Sequence, residues 1–176
     1  LVDDSLNGAF VTDMNALPLD IPGEYAVDIT INGITYTSQL IVVDTVMPEI
    51  TLKTVYLEPG ASAAPEDFVV SYTDASALSY EFVSEPDYSV IGVQNVQIRI
   101  TDLGGNAVVS DAMLLISNVA PITIEARTMP VTVDDFDVSG YASASLSTDL
   151  IPDTLGEHVV ELLLDDVVNP SIVTVV

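Results

Sequence analysis

Hard oxygen donors are the most abundant chemistry in this sequence. Asp44, Asp102 and Asn106 stand at turns or junctions, and Asp134, Asp135 and Asp137 form the densest acidic run. Such side chains suit Ca²⁺. No D-x-[DN]-x-[DN]-G spacing occurs, however, so there is no EF-hand loop. Asp and Asn at turns commonly bond their own backbone instead. The expectation is therefore no metal site and no cofactor, with Ca²⁺ as the sharper alternative.

Catalytic patterns are weaker still. His158 is the single histidine, and its ordinary pKa near neutrality suits acid–base work. Yet it shares strand register with Tyr25 and Gln94, which points to packing or a corner hydrogen bond. Asp44-Thr45 and Asp153-Thr154 give half of an aspartic-protease signature, but Val46 and Leu155 stand where Gly would follow. Carboxylates for glycoside hydrolysis are too plentiful to signify. Gly104-Gly105 is followed by no helix or Lys, so it is a turn and not a phosphate loop. The expectation is a protein that is not an enzyme. Without Trp, a sugar-stacking platform would rest on the seven Tyr and four Phe, and Tyr72, Tyr80, Tyr88 and Tyr141 are the candidates for an exposed cluster.

Charge removes other classes. The 176 residues carry 27 Asp plus Glu against Lys53, Arg99 and Arg127. Nucleic acid needs basic residues to neutralise phosphates, and anionic lipid needs them too. Scattered acids favour solubility and self-repulsion. Cys is absent, which excludes disulfides and thiolate metal sites and remains compatible with export. No apolar run nears the roughly 20 residues of a spanning helix, so no membrane insertion is expected of this stretch. No signal peptide is visible at Leu1. A targeting segment and anchor are expected outside this stretch.

The elements that would position these residues come from a repeat. GEYAVDITING (23–33), GVQNVQIRITD (92–102) and GEHVVELLLDD (156–166) align on Gly23, Gly92 and Gly156. Alternate positions are Tyr25-Val27-Ile29-Ile31, Gln94-Val96-Ile98-Ile100 and His158-Val160-Leu162-Leu164. Period-two alternation predicts strands with one buried face. Val159 and Leu163 break it, so that wet face is expected to be partly covered. Turns follow at Asn32-Gly33, at Leu103–Asn106, and from Asp165-Asp166 through Asn169-Pro170. Second strands follow at 34–43, 107–117 and 171–176, closing three hairpins.

Upstream, VDDSLNGAF (2–10) and VDDFDVSGY (133–141) correspond, with PEDFVVSY (65–72) a looser relative; each reads as a strand opening. Pro48 and Pro121 precede apolar alternations and suit the start of a first strand. The predicted fold is all-β: tandem Ig-like antiparallel β-sandwich domains in an elongated arrangement. The units are 1–45 (incomplete), 46–119 and 120–176 (short), with about six or seven strands in a whole unit. More chain is expected upstream of the incomplete unit.

Pro48-Glu49-Ile50-Thr51-Leu52, DFVVSYTDASAL (67–78), Gly92, Thr101-Asp102 and Gly105-Asn106-Ala107 carry a family resemblance. Their order resembles the bacterial Ig-like repeats, including the hyalin-repeat-like type, of Gram-positive surface proteins. The match covers the middle unit well and the others in part. The resemblance implies extracellular spacers, stalks and adhesion modules beside separate catalytic or binding domains. It also implies an aromatic residue at the position of Tyr25, from which Gln94 and His158 depart. The expected function is a non-enzymatic cell-surface spacer with a possible adhesive face and an unknown protein or glycan partner. The alternative is a carbohydrate- or protein-binding module.

Overall fold

The computed structural model describes residues 7–176. Residues 2–6 of the predicted opening strand lie outside the described residues. The chain is all-β, with strands and short 3-10 turns. It divides into two compact units. One comprises the stretch ending at Glu49 with Tyr72–Ser79 and Ile100–Val108; the other comprises Ile50–Ser71, Tyr80–Arg99 and Val109–Val176.

Each predicted hairpin forms. β1 (Gly8–Phe10), β2 (Gly23–Ile31) and β3 (Ile34–Val42) make one sheet in that order. Asn32 and Gly33 both have positive φ, 51° and 80°, the geometry of a two-residue hairpin turn. Alternation works as predicted along β2 at Val27, which is buried.

The middle stretch supplies β4 (Glu49–Leu52), β5 (Val55–Leu57), β6 (Val69–Thr73), β7 (Ser79–Phe82), β8 (Gly92–Thr101) and β9 (Ala107–Ile116). β4 pairs β6, and a second sheet runs β5-β9-β8-β7. Phe68, at the foot of β6, meets Phe82 of β7 edge to face at 5.8 Å, an arrangement suited to aromatic rings. Val96, Ile98 and Ile100 on alternate positions of β8 are all buried.

The last stretch supplies β10 (Ile122–Ile124), β11 (Ala144–Leu146), β12 (Gly156–Leu164) and β13 (Val167–Val175), ordered β10-β13-β12-β11. Its core is Val119, Val131, Phe136, Val160, Leu162, Leu164, Val173 and Val175. Burying each such side chain contributes about 1.5–3 kcal/mol. Val159 remains exposed while Leu163 is half-covered.

Four features differ from the sequence expectation. First, the acid-then-Phe segments open as 3-10 turns, Pro65–Phe68 and Val133–Asp135. Asp67 accepts the Ala64 N–H at 2.8 Å and Asp135 accepts the Thr132 N–H at 2.8 Å. This local bond closes the turn and points Phe68 or Phe136 into the core. Second, GAF at 8–10 is an edge strand on β2, matching β11 rather than the 133–141 segment.

Third, β13 begins at Val167, because Asp165 (φ 45°) and Asp166 (φ 67°) alone complete the turn. Asn169 and Pro170 therefore lie inside the strand. Pro170 pairs Glu161, a position whose N–H faces away from β12. β10 reaches only Val173–Val175, so the missing donor breaks no ladder bond. Fourth, two pairings are parallel, β5 with β9 and β10 with β13. The last stretch has four strands rather than about six, because residues 125–143 are taken up by Pro130 and the 3-10 turn.

Candidate functional site

Three places gather polar side chains. The first is the shared register position at the start of each hairpin. Tyr25 donates its hydroxyl to the Ile21 carbonyl at 2.7 Å and lies 3.1 Å from that of Pro18. Gln94 donates Nε2 to the Asp87 carbonyl at 2.7 Å and accepts the Asp87 N–H at 3.0 Å. His158 Nε2 lies 2.8 Å from the Thr154 carbonyl, so the Nε2–H tautomer donates. Each side chain fastens the incoming loop to the strand. His158 is thus the third clasp of a series, as its register implied.

The second place is a group of three carboxylates. Asp44 follows β3, Asp74 opens the loop between β6 and β7, and Asp102 closes β8. One oxygen from each lies within 4.8 Å of the others. Asp102 is buried, at 6% exposure, and the other two are half-buried. Asp102 Oδ1 accepts the Asn106 N–H at 2.8 Å, and Asn106 Nδ2 donates to Asp102 Oδ2 at 2.8 Å and to the Asp44 carbonyl at 3.1 Å. Burial pushes the Asp102 carboxyl up. The donors of Asn106 and the N–H groups of Gly105 and Gly104 outweigh that and hold it below the ordinary carboxylate range.

Asp74 Oδ1 accepts from the Ser76 N–H at 2.7 Å and hydroxyl at 2.9 Å. Its Oδ2 atom is buried and has no hydrogen-bond partner among the described residues. Gly104 lies flat against this group. A Cβ there would come within 2.7 Å of Asp44 Cβ and 2.9 Å of the Asp44 carbonyl oxygen, so no other residue fits without movement.

The sequence singled out Asp44, Asp102 and Asn106, and the fold brings those three together. It missed Asp74, whose YTDAS context reads as an ordinary turn. The other acidic run does not converge. Asp135 caps Thr132 and pairs Arg127 at 2.7 Å, while Asp137 accepts from Ser139. Asp153 bonds its neighbour Thr154, which accounts for that half-signature locally.

The third place is an open groove of about 580 Å³ that includes Glu85, Asp87, Asn95, Gln97 and Asp111. It lies on the wet face of β8 and β9, and Gln97 donates to Asp111 at 2.9 Å. No aromatic ring lines it. Of the four tyrosines that could stack on sugars, Tyr72 is 56% exposed. Tyr88 bonds the Ala63 carbonyl, Tyr141 packs on the last core, and Tyr80 is half-buried.

No protein-family model and no curated protein matches the chain. Among solved structures, the chain is similar over 99% of its length to PcdhgB3 EC1-4, at 12% identity and TM-score 0.32. It is similar over 89% of its length to SGBP-B of the Bacteroides ovatus mixed-linkage glucan utilization locus, solved with a mixed-linkage heptasaccharide, at 15% identity and TM-score 0.19. The chain spans 65% and 54% of those two chains, respectively.

Proposed function

We propose that the chain is a non-enzymatic spacer of a bacterial cell-surface protein, built of Ig-like repeats of the hyalin-repeat-like type. The observation that carries this reading is the state of residues 117–120, which link β9 to β10. A linker free to hinge would be exposed and polar. Here Ser117 and Val119 are buried, at 0% and 1% exposure, and alternate with the exposed Asn118 and Ala120. Asn118 donates to the buried Asn169 at 2.9 Å, Ser171 donates to the Ala120 carbonyl at 3.1 Å, and Tyr56 donates to the Ser117 carbonyl at 3.2 Å. Thr54 bonds Glu157 at 2.6 Å beside them. Such a connection holds one repeat at a fixed angle to the next, which is what a spacer requires.

Small-angle scattering tests it. The expected result for the parent is a single narrow distance distribution, as a fixed junction at residues 117–120 requires. The double variant Asn169→Ala, Ser171→Ala is expected to broaden the distance distribution while each repeat stays folded. A broad distribution in the parent, or one unchanged by the double variant, would remove the reading.

A second reading, a glycan-binding module, is favoured by the amides and carboxylates of the groove around Asn95 and Asp111. Saturable binding on a glycan array that Asn95→Ala abolishes would promote it over the spacer.

A further inference from the structure

Asp44, Asp74 and Asp102 bring three like charges together in a chain that has little positive charge to offer them. Two of the three basic residues are engaged elsewhere, Arg99 with Glu81 and Arg127 with Asp135. Asn106 donates to each oxygen of Asp102, the Val46 N–H donates to Oδ1 of Asp44, and Ser76 satisfies one oxygen of Asp74. The buried Oδ2 of Asp74 has no hydrogen-bond partner among the described residues. A buried carboxylate oxygen without a donor costs free energy unless something positive meets it. Turn formation explains Oδ1 of Asp74 and leaves Oδ2 unexplained.

We propose that Asp44, Asp74 and Asp102 bind a calcium ion, with the orphaned Oδ2 of Asp74 among its ligands. The donor set decides the ion. Carboxylates without His or Cys select a hard cation over zinc or copper. Three carboxylates drawn from three separate loops suit the irregular shell of calcium better than the strict octahedron of magnesium. Water and main-chain oxygens complete the six to eight positions such an ion takes. Asn106 acts as a positioning residue, because its amide joins the Asp44 main chain to Asp102. This site is independent of the spacer reading and of the groove.

The test uses the whole 176-residue chain, stripped with chelator and titrated with CaCl₂ in 0.15 M NaCl by calorimetry. One saturable site is expected, with Kd on the order of 10⁻⁵–10⁻³ M. At a hundredfold excess over Kd the melting temperature should rise by about 5 °C or more. Asp74→Asn is expected to weaken binding at least tenfold. In chelator the same variant should melt higher than the parent, because one of three crowded charges is gone. A turn role alone predicts neither change. Asp137→Asn, whose carboxylate only holds Ser139, should bind like the parent.

Two results would overturn the proposal. One is a heat of dilution without saturation, or uptake equal in the parent and in Asp74→Asn. The other is an equal rise in melting temperature with MgCl₂, which marks diffuse screening of a strongly acidic chain rather than a site.

Discussion

The β2–β3 and β12–β13 hairpins have nearly the same design and opposite surroundings. Both have nine-residue strands, a two-residue turn with positive φ, and a polar clasp at the third position. Around β12–β13, six aliphatic side chains are buried: Val160, Leu162, Leu164, Ile172, Val173 and Val175. Along β2–β3, Val27 alone is buried, while Ile31, Ile34 and Tyr36 stand 37%, 58% and 52% exposed. The register places Ile31 opposite Ile34 and Ile29 opposite Tyr36, so these side chains share one face.

The difference lies in what precedes each hairpin. The Phe136 turn packs against the apolar side chains of β12 and β13 while β10 widens that sheet beside β13, and buried Phe68 meets Phe82 in the middle stretch. Alternation alone makes a hairpin; a core needs a second layer to receive the apolar face.

The sharpest way to break this comparison is to truncate an aromatic on each side. Phe136→Ala should cost about 3–5 kcal/mol. Phe10→Ala, at a position 59% exposed, should stay within about 0.5 kcal/mol. Denaturant unfolding measures both. Equal losses would mean that the first sheet is as well covered as the last.

Smaller effects sharpen the likeness of the turns. Gly33→Ala, at φ 80°, should cost about 1–2 kcal/mol. Asp166→Gly, at φ 67°, should gain up to about 1 kcal/mol. Opposite signs, read from the same unfolding curves, would confirm that one turn has the residue its backbone demands and the other tolerates strain.

The smallest effect is expected in acid. Hydrogen bonds hold Asp135 and Asp165 of the last stretch, like Asp137, below the ordinary range. Asp135 is held by the Thr132 N–H, against burial, with help from Arg127; Asp165 is held by the Ser143 N–H, against burial, with help from Ala142 and the Ser143 hydroxyl. The unfolded chain therefore takes up these protons first. The stability they contribute is full above the unfolded value of about 3.9 and is lost as pH falls through the lower folded values. Asp135→Asn should flatten that acid limb, by about 1 kcal/mol, in melting curves recorded between neutral pH and strong acid.

The hairpins were legible in the sequence because period-two alternation and Asn-Gly turns are local signals. The clasp role of His158 was legible for the same reason, since register alone aligned it with Tyr25 and Gln94. The parallel partners of β9 and β13 were not, because a three-residue strand such as Ile122–Ile124 carries no sign of its neighbour. Asn169-Pro170 read as a turn because composition does not reveal which ladder positions need an N–H. Asp74 escaped notice because its place beside Asp44 and Asp102 depends on three loops meeting in space.

The parallel pairing of β10 with β13 also governs how the last sheet answers to pulling. β10 and β13 run in the same direction side by side at Ile122–Ile124 and Val173–Val175. Tension drawn between the start of β10 and the end of β13 acts along the strands, in shear, so the bonds joining them must yield together instead of unzipping singly. β5 and β9 repeat the arrangement in the middle stretch. Such a sheet would resist sudden drag through a few short rungs rather than through the bulk of its core.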